Sequence, residues 1–185
     1  MPNYASAVTN VVHMPPRGHY LASEVGELAG ASGETIGQWS RYGYIRASQA
    51  DGEYPLVYSY QDVAEAILVH ELLEGKVPLK ALRPVIDALR DERGDWPLQH
   101  STLETVSDED IPIAALLVRH GDLRYELGPH GWQQVESAVI NPRRIGSELH
   151  RGGWAVRRLP NLQHIEVDPD RMSGRPAIRG KRISA

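Results

Sequence analysis

Few residues of this chain have the types and spacing needed for covalent or metal chemistry. Cysteine is absent, which removes disulfides, zinc fingers, iron–sulfur clusters and thiol nucleophiles. Eight histidines are scattered along the chain, with no His-Glu-x-x-His spacing. There is also no Gly-x-Ser-x-Gly elbow and no phosphate-cradling glycine loop. His70 and Glu71 sit on one amphipathic stretch, and His120 and His130 flank turns, so none of them needs a catalytic role. The sequence therefore predicts a protein that is not an enzyme and uses no cofactor. The more telling chemistry is cationic. Arg171, Arg175, Arg179, Lys181 and Arg182 crowd into a short Gly/Pro-containing stretch. Such a stretch suits nucleic acid or an acidic groove on a protein, or is a solvated end. Trp132, Trp154 and Tyr125 could line a small apolar pocket or simply fill a core.

The elements that would position these groups follow from periodicity and punctuation. Residues 1–19 read as a loose arm, ended by Pro15, Pro16 and Gly18. From Tyr20, Leu21, Val25, Leu28 and Ala29 form one apolar helical face, with Ser23 as the expected N-cap and Glu24 in the first turn. Gly30-Ala31-Ser32 breaks that helix. Ser32 then caps a second one running to Tyr42, and Gly43 takes the C-terminal position. Two short helices joined by a three-residue, glycine-containing turn make either a helix-turn-helix or a plain hairpin of a core. Tyr44 to Ala47 and Leu56 to Tyr58 are expected to pair as a hairpin around the polar loop between them. Asp62 to Leu73 is an amphipathic helix ended by Gly75, and Pro78-Leu79 starts another through Leu89, with Pro84 inside it.

Further on, the acidic run is expected to be a solvated linker, bounded at 93–110. Ala114 to Arg119 and Leu123 to Leu127 read as paired strands around His120-Gly121-Asp122. Residues 132–151 read as weakly helical. Trp154 to Val156 and Ile165 to Val167 read as short strands. The expected organisation is thus an arm (1–19), a helical DNA-binding-type domain (20–92), the acidic linker (93–110), a small α+β region (111–160) and a basic tail (161–185).

Charge is uneven. Residues 1–142 carry ten basic against twenty acidic side chains, and residues 143–185 carry ten against four. Such asymmetry marks parts with different partners. The start lacks a basic segment followed by a long apolar run, and no stretch is long and apolar enough to span a bilayer, so the cytoplasm is the expected compartment.

Three motifs in order resemble the winged helix-turn-helix domain of the MerR family. They are Thr35 to Ile45 (TIGQWSRYGYI), Val57 to Val63 (VYSYQDV) and Glu74 to Arg83 (EGKVPLKALR). The resemblance implies an α+β fold: a MerR-like winged helix-turn-helix, then a small α/β hairpin-containing region and the basic tail. It implies that the second helix enters the major groove of DNA. Thr35 and Gln38, with Glu34, would then meet base edges, a glutamine suiting adenine. Arg41, Tyr42 and Arg46 would reach phosphates, and Ser32 and Tyr58 complete the DNA-binding set. Ile36 and Trp39 are assigned to the core. Gly37 and Ser59 stand where the family commonly has arginine. Pairing as a homodimer, with half-sites about 34 Å apart, goes with the resemblance.

The segment Ile165 to Ser184 (IEVDPDRMSGRPAIRGKRIS) resembles the opening of a small domain found in bacterial antitoxins of the VapB type. In that family helices follow, so either a shortened domain or a tail acting as a bare segment is expected here. The resemblance implies a PIN-like ribonuclease toxin as partner, with Arg175, Arg179, Lys181 and Arg182 contacting it. Together the two resemblances imply an antitoxin that binds operator DNA and neutralises such a toxin. The alternative is a one-component MerR-type regulator with a small-molecule sensor in residues 105–160.

Overall fold

Helices built on local capping and a 3.6-residue apolar period make up the N-terminal half. The computed structural model describes residues 17–49, 54–106, 114–136, 142–146, 157–158 and 164–183. Most of the expected arm, the tip of the expected hairpin (50–53) and the expected strand at Trp154 to Val156 lie outside them. The first helix, α1 (Ala22–Ala29), buries Val25, Leu28 and Ala29. Its N-terminal cap is made by Glu24, whose carboxylate accepts the Leu21 N–H at 2.8 Å, and not by Ser23. In α2 (Gly33–Arg41), Ser32 is the cap as expected, its hydroxyl accepting the Thr35 N–H at 3.1 Å.

The third helix, α3 (Tyr60–Glu74), starts two residues earlier than expected and is buried nearly all round. A helix of that kind belongs at the centre of a domain. Ser59 and Asp62 form a reciprocal cap: Asp62 N–H to Ser59 Oγ at 3.2 Å, and Ser59 N–H to the Asp62 carboxylate at 2.7 Å. The last long helix, α4 (Leu79–Arg93), contains Pro84 and buries the stripe Leu82, Val85, Ile86 and Leu89.

The expected hairpin between Tyr44–Ala47 and Leu56–Tyr58 does not form. Its returning strand, β2 (Val57–Tyr58), pairs instead with β1 (Tyr20–Leu21), ahead of α1. Tyr20 and Tyr58 lie opposite each other and are both fully buried. Burying two large aromatic rings outweighs the local pairing. Tyr44 meanwhile donates back to the Trp39 carbonyl at 2.9 Å, and the Gln49 N–H donates to the Val57 carbonyl at 3.1 Å across the loop.

A five-stranded antiparallel sheet packs on this helical part. Its strands are β3 (Thr102–Val106), β4 (Ala115–His120), β5 (Leu123–Gly128), β6 (Gly131–Gln134) and β7 (Pro142–Ile145), in the order β6-β5-β4-β3-β7. Leu103, Leu116, Val118 and Ile145 share one face and join the core of the helices. On the opposite face, Glu104 is almost fully buried and holds Arg124 at 2.6 Å and Arg119 at 3.8 Å. Two expectations are thereby overturned. The described part of the stretch, 93–106, is not a solvated linker, because Trp96 and Leu98 are buried and β3 lies inside the sheet. Among the described residues its acidic side chains are paired: Asp95 with Arg46, and Glu104 with arginines of the sheet. The described parts of 132–151 are strands rather than helix, since pairing with β5 and β3 satisfies their backbone.

The basic C-terminal stretch is folded rather than bare. Strands β8 (Arg157–Arg158), β9 (Ile165–Val167) and β10 (Ala177–Ile178) form a small antiparallel sheet in the order β10-β9-β8. It docks on the start of the helical part. The His19 N–H donates to the Ser173 carbonyl at 3.1 Å, Arg17 pairs with Asp170 at 3.0 Å, and Arg175 approaches Glu24 at 3.5 Å. Gly174 has φ +83, and the Tyr20 hydroxyl fills the place a Cβ would take. A side chain there is excluded both by backbone conformation and by space.

Two buried carboxyls complete the interior. Burial pushes Asp62 above the usual carboxylate range, against the hydrogen bonds it receives from Ser48, Ser59 and Trp96. Burial likewise pushes Glu65 up to about 8, with Gln99 N–H opposing and Asp62 adding to the rise. Glu65 accepts that N–H at 2.8 Å.

Two outcomes are expected. Replacing Gly174 by Ala detaches the C-terminal sheet, read as faster tryptic cleavage within Arg171 to Arg182 at unchanged helical circular dichroism. Glu65 has a folded pKa above its ordinary 4.5. Its contribution is therefore complete below pH 4.5 and is lost as pH rises toward 8. Glu65→Gln keeps the carbonyl acceptor, so denaturant titrations between these limits should show a flatter pH dependence than for the parent protein.

Candidate nucleic-acid interface

The second helix divides cleanly between core and solvent. Ile36 and Trp39, three residues apart, are buried in the common core, on a helix packed against α1, while Ser32, Glu34, Gln38, Arg41 and Tyr42 are exposed. Tyr42 is 65% exposed, although it is a large aromatic residue. Ser32 and Thr35 hydroxyls lie 2.8 Å apart, and Thr35 is half-buried beside them. Gln38 Nε2 donates to Glu34 at 3.5 Å, and Arg41 Nε to the Gly37 carbonyl at 3.4 Å. Nothing lies within 4 Å of where a Gly37 side chain would begin. The polar groups assigned to DNA thus share one outer face.

Two of the predicted contacts differ from expectation. Tyr58 is fully buried in β2, where burial raises its phenol pKa, so it is not a DNA-contacting residue. Its place in the core follows from the pairing of β2 with β1. Arg46 is exposed but ion-paired with Asp95.

The structure also gathers residues that the sequence did not single out. Helix α4 runs along the turn that follows α2. Arg90 Nη2 donates to the Gly43 carbonyl at 3.3 Å, and the Arg83 guanidinium occupies the space beside the Gly43 α-carbon. Gly43 has φ +72, so glycine suits both the backbone and the close guanidinium. Arg83 and Arg90 both pair with Asp87, at 2.7 and 3.3 Å. The signal for this was the Arg-x-x-x-Asp-x-x-Arg spacing, which puts the three on one helical face.

On the C-terminal sheet, Arg175, Arg179, Lys181 and Arg182 are all exposed. Arg179 approaches the nearly buried Glu166 at 3.8 Å, and Arg171 holds the same carboxylate at 2.8 Å. Ile178 and Ile183 are exposed alongside them, at 38% and 57%. Arg175 bonds Glu24, and the neighbouring Ser23 backbone is packed against Gly33 at the start of α2.

Of the three residues expected to line a sensor pocket, Trp132 and Tyr125 lie on the neighbouring strands β6 and β5. Trp132 donates its indole N–H to Glu92 at 2.8 Å, joining β6 to α4, and Trp154 lies outside the described residues. A cavity of about 320 Å³ opens beside His19, Met172, Ser173 and Arg175. Among the described residues no cluster of three metal-ligating side chains occurs, and no helix is long and apolar enough to cross a membrane.

No protein-family model and no curated protein matches this chain. Among solved structures it is similar to Rv2018 from Mycobacterium tuberculosis, at 15% identity over 89% of this chain and 81% of that one, with a TM-score of 0.48. The architecture is that of an α+β protein.

The inward–outward division of α2 is directly measurable. Trp39→Ala should cost roughly 3–5 kcal/mol in urea unfolding. Gln38→Ala and Arg41→Ala should stay within about 0.5 kcal/mol of the parent.

Proposed function

We propose that this chain is an antitoxin-type regulator. One surface binds operator DNA, and a second covers the acidic site of a PIN-like ribonuclease. The observation that carries the first half is the division of α2, with Ile36 and Trp39 held in the core and Gln38, Arg41 and Tyr42 turned to solvent. A rigid, core-anchored helix with a polar outer face is what major-groove reading requires. Gln38 can offer adenine its paired donor and acceptor, while Arg41 and Arg46 meet phosphates. The net acidity of residues 1–142 makes each monomer a weak binder. A homodimer, and basic charge from the C-terminal sheet beside α1, support the grip.

The second half rests on the exposed set Arg179, Lys181 and Arg182 with Ile178 and Ile183. Clustered carboxylates of a metal-dependent nuclease accept the planar fork of arginine, and a seated guanidinium competes with the metal. The isoleucines add apolar contact at the rim of such a site.

Both halves can be tested with the full chain. Fluorescence anisotropy on duplex DNA from its own promoter should show binding that Gln38→Ala weakens by about tenfold or more, with affinity for unrelated DNA unchanged. RNase activity of the co-encoded nuclease should be silenced by the parent chain. Replacing Arg175, Arg179, Lys181 and Arg182 together by Ala should restore it. Equal binding of promoter and unrelated DNA, or full RNase activity beside the parent chain, would remove the corresponding half.

A further inference from the structure

We infer that Arg83, Arg90 and Arg46 form a cradle for the phosphodiester backbone of nucleic acid, next to the end of α2, and that Asp87 and Asp95 hold it closed in the free protein. This rests on the DNA-binding role proposed for α2 and adds the residues that would anchor and regulate it.

Residues 1–86 carry six basic against nine acidic side chains, so phosphate attraction must come from cations concentrated in one place. The turn after α2 is such a place. Arg83 and Arg90 reach it from α4, and Arg41 and Arg46 flank it in the chain. The chain is glycine where Arg83 lies closest, which lets the guanidinium approach the backbone at the end of α2. Asp87 is the shared anion, taking Nε of Arg83 and Nη1 of Arg90. These contacts and the Gly43 carbonyl use one donor of Arg83 and two of Arg90, of the five that each guanidinium carries.

Exchange of anions at this place is cheap. Asp87 is 48% exposed, and Arg83 and Arg90 are 41% and 35% exposed. Ion pairs at such exposure contribute little, commonly under about 1 kcal/mol. A phosphate oxygen pair fits the guanidinium fork as well as a carboxylate does, and it releases condensed counterions as it binds. Arg46, three residues after Gly43 in the chain, is paired in the same way with Asp95. Affinity is then set by competition between the internal carboxylates and the DNA backbone.

The test uses the full chain and a random-sequence duplex of about 20 base pairs, with Kd measured against salt concentration. Arg83→Ala/Arg90→Ala should weaken binding and reduce the slope of log K against log salt by about 1.8, the loss of two phosphate contacts. Arg83→Lys/Arg90→Lys should restore most of the slope, since the charge returns without the fork. Asp87→Asn should tighten binding by about two- to fivefold. Melting temperatures close to that of the parent establish that substitutions at these half-exposed positions leave the fold intact. An unchanged salt slope in the double alanine variant would overturn the cradle while leaving promoter recognition standing. No tightening in Asp87→Asn would overturn the latch. Equal affinity for promoter and random DNA, with the slope still dependent on Arg83 and Arg90, would support the cradle and remove the operator-reading role. Absence of any binding at low salt would overturn both.

Discussion

The fold turns on one buried carboxylate. Asp62 is inaccessible to solvent and accepts four hydrogen bonds: Ser48 N–H at 2.8 Å, Ser48 Oγ at 2.6 Å, Ser59 N–H at 2.7 Å and Trp96 Nε1 at 2.8 Å. An isolated carboxylate could not be taken out of water at this depth. Its four donors, and its place in the first turn of α3, make the burial tolerable. Those donors come from three separate segments: the stretch leaving α2, the start of α3 and the connection from α4 to β3. A single side chain therefore fixes how the chain leaves α2, where α4 ends, and where the central sheet begins.

Several other features follow from that junction. Holding Ser48 at α3 lays residues 43–46 along α4, which brings Gly43 to Arg83 and Arg90. Holding Trp96 at the same carboxylate brings Asp95 to Arg46. Glu65, one turn along α3, repeats the device on Gln99 and so guides the chain into β3. The exposed face of α2 and its arginine neighbourhood are consequences of how buried acids arrange the chain behind them. Net charge describes such a protein poorly. Its N-terminal part is acidic in sum, yet several of those acids are internal or paired, and the arginines gather at one turn.

The C-terminal sheet shows the same economy of contact. Tyr20 serves at once as the partner of Tyr58, as part of the core and as the surface on which Gly174 rests. The basic segment is thereby held as a structured projection with Ile178 and Ile183 exposed. A projection ordered in advance loses less conformational entropy on meeting a partner than a free tail would.

Much of the helical half was legible in the residues themselves. The cap at Ser32, glycines at the helix ends and the apolar periods of α1, α2 and α4 are local signals, and each acts within about four residues; the Ser59 cap, equally local, was passed over because the helix was expected to begin at Asp62. Pairing of β4 with β5 around Gly121-Asp122 was equally local, whereas the outward set Gln38, Arg41 and Tyr42 on α2 was an expectation of the family resemblance. What only the tertiary structure decided depends on residues far apart in the chain. Trp96 finds Asp62 across 34 positions, Arg90 finds Gly43 across 47, and Arg17 finds Asp170 across 153. Such partners leave no periodic trace, because they are selected by how the packed elements bring donors, acceptors and rings together. This is why an acidic stretch became a central strand, a basic tail became a docked sheet, and Tyr58 turned from a surface expectation into core.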